Sequence, residues 1–392
     1  MYSQKIQNLS ESATIAIATL ATELKAQGRD VLSFSAGEPD FDTPQVIKDE
    51  AIRALNSGYT KYTPVAGIPE LLETIAGKLE RENGLVYSPK EILVSNGAKQ
   101  SLFNAFQALI EQGDEVIIPS PYWVTYPELV VYSGGKPVFI PTNENTDFKI
   151  TPKQLKEAIT PKTKMLVLTT PSNPTGMVYS KDELTQIAEI LKGSSIWVLS
   201  DEMYEKLIYD TQFTSCASIS EDMMARTITV NGLSKSVAMT GWRMGYLATK
   251  DLKLLKLMNN LQSQCTSNIN SITQRASIVA LNGEADRDIE MMREAFQKRR
   301  DLACELIENI NGLSVLKPQG AFYLFINMQD VPGYNGDSMR FCQRLLEVEG
   351  VALVPGKAFG MDGYVRFSFA CSNEQIIEGC NRISRFIVSN II

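Results

Sequence analysis

The chain has no histidine among its 392 residues. That absence excludes Ser-His-Asp catalysis, histidine-ligated metal sites and histidine general acids. Any proton shuttle must be Lys, Tyr, Asp, Glu or Cys. Basic charge is also short: 38 Lys and Arg face 45 Asp and Glu, a formal net charge of -7. Such a balance argues against a nucleic-acid partner, which needs a basic surface. A small anion can still find a local basic pocket. No apolar run approaches the roughly 20 residues of a membrane-spanning helix, so no membrane partner is expected. The opening Met1-Tyr-Ser-Gln-Lys-Ile-Gln-Asn8 is polar and lacks a signal-peptide core. Cys216, Cys265, Cys304, Cys342, Cys371 and Cys380 show no metal-ligand or redox spacing. They read as reduced thiols in a cytoplasmic protein with no metal.

What is present suits a globular protein: 44% hydrophobic and 21% charged, long enough for two domains. The most telling stretch is Thr229-Val-Asn-Gly-Leu-Ser-Lys-Ser-Val-Ala-Met-Thr-Gly-Trp-Arg-Met-Gly-Tyr246. An apolar run from Ile228 reads as a buried strand, broken by Gly232 and Ser234. Lys235 stands past its end, and Arg243 precedes another apolar run. A lysine beside a core strand can form a Schiff base if its surroundings lower its pKa. An arginine nearby suits a planar grip on phosphate. An isolated Lys/Arg pair on a loop is ordinarily solvated charge, so the rest of the chain decides.

In chain order, Ala13, Ile15, Ile17, Leu20 and Leu24 predict a helix ending near Gly28. A short strand from Val31 follows, then a Gly/Pro/Asp turn cluster containing Gly37. A helix is expected from Pro44 to about Ser57, then a loop with Tyr59 and Tyr62. From Ile92 the pattern is strand, small-residue turn, apolar-faced helix. Backbone N–H groups at such a helix start make an anion site. Lys99 lies in that first turn, where the dipole disfavours a cation; either it bends into solvent or a bound anion offsets the penalty. Strands at Glu115-Val-Ile-Ile118, Pro137-Val-Phe-Ile140, Lys164-Met-Leu-Val-Leu-Thr-Thr170 and Ser195-Ile-Trp-Val-Leu-Ser200 alternate with helices. Their unalternating apolar character suits strands covered on both faces. The prediction is an α/β fold with a mostly parallel, doubly wound sheet. Ligands collect beyond the carboxyl ends of such strands. That rule gathers Gly97, Trp123, Asn173, Asp201, Tyr204 and Lys235 into one crevice. A long helix over about 284–310 and strands at 313–316, 322–326, 351–354 and 364–369 predict a smaller α+β domain. The large domain is expected over 45–290 and the small one over 1–44 and 291–392.

A crevice of Lys, Asp, Tyr, Asn, Trp and Arg without histidine suits pyridoxal 5'-phosphate, an electron sink for amino-acid carbanions. Its aldehyde needs a lysine, Lys235. Its ring nitrogen needs a carboxylate, Asp201. Its phenolic oxygen needs donors, Tyr204 and Asn173. Its flat ring needs an aromatic face, Trp123. Its phosphate needs a helix N-terminus and an arginine: Gly97, Ala98, Lys99 and Arg243.

The chain resembles the class I aminotransferases of pyridoxal-phosphate fold type I, and more closely the bacterial subgroup Ib aspartate aminotransferases. The resemblance runs nearly end to end. It covers Ser12-Ala-Thr14, Ser35-Ala-Gly-Glu-Pro-Asp-Phe-Asp-Thr-Pro44, Lys61-Tyr-Thr-Pro64, Ala66-Gly-Ile-Pro-Glu70 and Gly97-Ala-Lys-Gln100. It continues through Pro121-Tyr-Trp123, Asn173-Pro-Thr-Gly176, Ser200-Asp-Glu202 with Tyr204, Ser234-Lys235 and Met239-Thr-Gly-Trp-Arg243. It closes with Pro318, Gly320-Ala-Phe-Tyr323, Val354-Pro-Gly356 and Val365-Arg-Phe-Ser368. The resemblance implies amino transfer from L-aspartate to 2-oxoglutarate, with Lys235 holding the cofactor and later moving the substrate proton. It implies that Arg366 grips the substrate α-carboxylate, helped by Asn173, Trp123 and the Gly37 backbone. It implies that Lys99 meets the distal carboxylate, and that Tyr62 reaches the phosphate of a neighbouring subunit in a homodimer. Aromatic, prephenate or arogenate, and alanine specificities are the alternatives, with a lyase behind them. Three departures stand out: Gly232 where relatives outside the subgroup carry a hydroxyl, Tyr126 where some place a histidine behind the aspartate, and Glu11 where many have proline. Ser234 is given no role.

Overall fold

The computed structural model describes residues 2–9 and 13–389. Glu11 and Ser12 lie outside the described residues. The strands, in chain order, are β1 (Leu32–Ser33), β2 (Ile92–Asn96), β3 (Glu115–Ser120), β4 (Lys136–Pro141), β5 (Thr163–Thr169), β6 (Trp197–Asp201) and β7 (Thr227–Gly232). They continue with β8 (Met244–Ala248), β9 (Ser314–Val315), β10 (Tyr323–Asn327), β11 (Val351–Ala352), β12 (Val354–Pro355) and β13 (Tyr364–Ser368).

Seven of them form one sheet in the order β2-β8-β7-β6-β5-β3-β4. β8 runs antiparallel to both neighbours, and every other adjacent pair is parallel. Every residue of β7 and β8 is buried. The reason is visible in the packing of both faces. On one, Leu102, Ala105 and Phe106 of the helix Ala98–Leu109 meet Leu93, Val230 and Leu247. On the other, Ile75, Leu79 and Ala276 meet Val94 and Tyr246. Each of the larger aliphatic and Phe side chains contributes about 1.5–3 kcal/mol by leaving water. Residues with alternating polarity could not fill these strands. Gly245 has a further constraint: a Cβ there would lie 2.2 Å from the Ala98 nitrogen. Only glycine lets β8 pass beneath the start of that helix.

The smaller sheet, in order β12-β13-β10-β9, is antiparallel throughout. The long helix Asp286–Glu308 and the helix Asn373–Ser389 cover it through Phe296, Ile307, Phe322, Phe367 and Ile383. The segment 351–354, expected as one strand, is two. Val351 and Ala352 pair in parallel with Leu32 and Ser33, whereas Val354 pairs with Arg366. The chain serves two partners in different sheets and must change direction at Leu353. The early segment is thereby tied to the later one. The Phe34 carbonyl accepts from the Ser368 N–H at 2.9 Å, which brings residues 35–38 to the end of β13. Among the described residues no helix is long and apolar enough to cross a membrane, and no cluster of His, Cys, Asp or Glu could hold a metal.

Candidate active site

The carboxyl ends of β2, β3, β5, β6 and β7 open into a cavity of about 780 Å3. Gly37, Ala98, Lys99, Trp123 and Asn173 line it, as do Asp201, Tyr204, Lys235, Arg243 and Arg366. Two residues expected from sequence do not. Gly97 sits just behind the wall, and Tyr62 is 91% exposed.

Each side chain is placed by a local feature. Asp201 is the last residue of β6, fully inside the sheet and 5% exposed. The Tyr126 hydroxyl donates to its Oδ2 at 2.7 Å, and the Met203 N–H donates to Oδ1 at 3.3 Å. Burial pushes its pKa up to about 6, against the pull of Tyr126, the Met203 N–H and Lys235. No cationic side chain pairs with it among the described residues. Lys235 follows β7 on the loop that Gly232 begins, and its Nζ donates to the Gly37 carbonyl. Burial lowers its pKa to about 8; Glu38 opposes that, while Arg366 and Arg243 add to it. An amine so placed is a nucleophile near neutral pH.

Arg366, in the middle of β13, is only 2% exposed. Its Nη1 donates to Asn173 Oδ1 at 3.0 Å and its Nη2 to the Ser35 carbonyl at 2.8 Å. The guanidinium also lies 4.4 Å from the Tyr323 ring centre and 5.1 Å from that of Phe359. Its buried Nε has no hydrogen-bond partner among the described residues. A buried guanidinium with a donor to spare calls for an anion.

Arg243 adopts φ +57, a left-handed conformation unusual for a side chain of its size. Its Nη1 donates to the Thr240 carbonyl at 2.8 Å. A Cβ on Gly97 would come within 2.5 Å of Nη2, so the glycine is what admits the arginine beside the helix start. Lys99 projects over the Trp123 ring, its Nζ 5.0 Å from the centre. Its pKa is lowered by burial and by Arg243. Lys99, Arg243, Lys235 and Arg366 thus converge on one cavity whose walls also carry the acids Glu38, Glu128 and Asp201; the cations suit an anionic cofactor and an anionic substrate.

Tyr126, Glu38 and Tyr323 are among the lining residues to which the sequence assigned no role. Tyr126 takes the place behind Asp201 where a histidine was noted as missing; its own hydroxyl is 2.7 Å from Thr169 Oγ1. Glu38 accepts from the Thr240 hydroxyl at 2.8 Å and faces Lys235. Tyr323 lies on β10, in the smaller sheet, with its hydroxyl 2.9 Å from that of Tyr204. Nothing local marked Glu38 or Tyr323 as cavity residues.

The groups present fit pyridoxal phosphate. Asp201 is a buried carboxylate lacking a cationic partner, Lys235 is a buried-side amine with a lowered pKa, and Arg366 has an unmatched donor. The profile of the family described as Aminotransferase class I and II matches residues 29–383. The chain is 47% identical over 388 residues to an aspartate aminotransferase of Geobacillus stearothermophilus, covering 98% of each. It is 46% identical over 383 residues to a probable aspartate/prephenate aminotransferase of Aquifex aeolicus, covering 97% of each. The crystal structure of an aspartate aminotransferase from Rhizobium meliloti superposes with a TM-score of 0.95 at 42% identity, covering 99% of both chains.

Proposed function

Because the chain belongs to the class I and II aminotransferases, enzymes of fold type I that depend on pyridoxal phosphate, we propose that its amino donor is L-aspartate and its acceptor 2-oxoglutarate. The observation that carries the dicarboxylate reading is the pair of cations in one cavity: buried Arg366 with its unmatched Nε, and Lys99 over Trp123. One suits the α-carboxylate that all amino acids share. The other suits a second carboxylate, and a dicarboxylic substrate would relieve the penalty of a lysine in the first turn of a helix.

When bound, pyridoxal phosphate withdraws electrons from the carbon that loses its proton. The protein supplies the rest. Lys235 holds the cofactor through its Nζ and then carries the proton at that atom. Asp201 keeps the ring nitrogen protonated, and Tyr126 holds Asp201 by a neutral donor. Asn173 has its carbonyl oxygen occupied by Arg366, which leaves its amide N–H groups to donate into the cavity. Trp123 offers a flat face. Arg243 and the backbone at Gly97, Ala98 and Lys99 receive the phosphate. Tyr62, exposed and not part of its own cavity wall, reaches the site of a second subunit in a homodimer. We keep the division into a domain over 45–290 and a second over 1–44 and 291–392 as part of this reading, together with a cytoplasmic location.

Lys99→Ala is expected to lower kcat/KM for aspartate by roughly ten- to a hundredfold, the worth of a charged hydrogen bond. The value for alanine should change less than about threefold. Steady-state kinetics with both donors check this, and equal losses would remove the dicarboxylate argument. Uptake of pyridoxal phosphate by the stripped protein should rise with pH through about 8. The reactive form is the neutral amine, so the rate should fall about tenfold for each pH unit below that point. A stopped-flow profile flat from about pH 6 to pH 10 would contradict the assignment of Lys235.

One observation favours a second reading. Tyr122, Val124, Pro127 and Ala358 also wall the cavity, leaving apolar surface beside the cations. A bulkier dicarboxylate such as prephenate, named for the Aquifex aeolicus relative, would use it. Amination of prephenate by aspartate, measured beside that of 2-oxoglutarate, decides between one acceptor and two.

A further inference from the structure

Tyr323 is a hydroxyl that the reaction as derived above does not use. It comes from β10 of the smaller sheet, 119 positions beyond Tyr204, and its ring is fully buried. The residue nevertheless lines the active-site cavity. Two contacts fix it there. The Tyr204 hydroxyl lies 2.9 Å away, with the two rings edge to face at 79° and 5.9 Å between centres. The Arg366 guanidinium covers its ring at 4.4 Å. Both tyrosines are held neutral, chiefly by burial.

Two neutral hydroxyls in contact share one hydrogen bond, and its direction matters. If Tyr204 spends its proton on an oxygen anion in the cavity, its own oxygen must accept from elsewhere. Among the described residues the Tyr323 hydroxyl is the partner it has. A donor that itself accepts a hydrogen bond is a stronger donor, because the chain polarises cooperatively. The edge-to-face packing of both rings leaves little freedom to choose another geometry.

We propose that Tyr323 is a positioning residue of the site, donating its hydroxyl proton to Tyr204 so that Tyr204 can donate to the phenolic oxygen of the cofactor. This rests on the pyridoxal-phosphate reading of Tyr204. Its ring has a separate task, as the face on which Arg366 rests. The hydroxyl and the ring can therefore be separated by substitution.

The consequence is read at Lys235. A weaker hydrogen bond from Tyr204 leaves more negative charge on the neighbouring oxygen, and a proton on the Lys235 nitrogen is then held more tightly. Removing the Tyr323 hydroxyl should raise the pH midpoint of the visible band of the bound cofactor. The other groups facing Lys235 are Glu38, Asp201, Arg243 and Arg366, and the substitutions leave all four in place.

The experiment is a spectral pH titration of four holoenzymes: wild type, Tyr323→Phe, Tyr204→Phe and the double variant. Tyr323→Phe should raise the midpoint by roughly half a unit, and Tyr204→Phe by more. The double variant should match Tyr204→Phe alone, because Tyr323 acts only through Tyr204. The KM for amino acids should stay within about twofold in Tyr323→Phe, since the ring beneath Arg366 remains. An unmoved midpoint in Tyr323→Phe would overturn the proposal, as would a shift that survives in the Tyr204→Phe background. Failure of the underlying cofactor reading looks different: the wild type itself would then show no titrating visible band.

Discussion

Lys235→Ala is expected to abolish transamination and to leave the protein folded. The loss should be at least about a thousandfold, because on the proposed mechanism one residue both holds the cofactor and carries the proton, and general acid–base catalysis alone is worth about 10^2–10^4. Alanine can do neither. The fold should survive for a structural reason. Lys235 sits on the loop after β7 rather than in it, its Nζ donates to the Gly37 carbonyl, and it lies over the Phe322 ring only at 6.0 Å from the centre. The strand beneath is packed by Ile228 and Val230, which the substitution does not touch. Turnover by the purified variant, measured beside its thermal melting curve, checks both halves. Near-normal turnover would remove Lys235 from the chemistry. A large fall in melting temperature would show that the lysine is structural.

Arg366→Ala should weaken every amino-acid substrate alike. Truncating one partner of a buried charge pair costs about 2–5 kcal/mol, or roughly thirtyfold to several thousandfold in kcat/KM. Two further effects add to it. The Asn173 carbonyl loses the donor that orients it, and the Ser35 carbonyl loses its guanidinium partner. Arg366→Lys separates charge from shape: an ammonium keeps the charge but cannot form the planar two-point contact. Its loss should fall between wild type and alanine. Kinetics with aspartate, glutamate and alanine would show the pattern. A loss confined to dicarboxylic substrates would exchange the roles of Arg366 and Lys99.

Part of this site was legible in the sequence, and the reason is geometric. In a mostly parallel sheet, residues that follow strands share an edge, so Trp123, Asn173, Asp201, Tyr204 and Lys235 could be gathered without knowing any contact. The apolar runs were long and unalternating enough to mark the strands. What escaped arises between elements far apart in the chain. Tyr323 reaches the cavity from the other sheet, and only the pairing of β10 with β13 puts it beside Arg366. Glu38 arrives because Phe34 is tied to Ser368. Tyr126 was noticed as a departure, yet its hydrogen bond to Asp201 depends on how the helix Thr125–Ser133 leaves β3. The division of 351–354 into β11 and β12 has the same origin: local propensity favours a strand, and two separate partners claim it.

The left-handed backbone at Arg243, with φ +57, fits the same pattern. Conformations of this kind cost about 1–3 kcal/mol and persist where surrounding structure demands them. Here the demand is the approach of the guanidinium to the start of the helix Ala98–Leu109, which Gly97 makes possible.

The most direct test of the central claim is a visible-absorption scan of the purified holoenzyme, before and after aspartate is added without a keto acid. The expected result is loss of the yellow band of the bound aldehyde and growth of the near-ultraviolet band of its amine form, reversed on adding 2-oxoglutarate. A yellow protein that aspartate leaves unchanged would contradict the proposed donor.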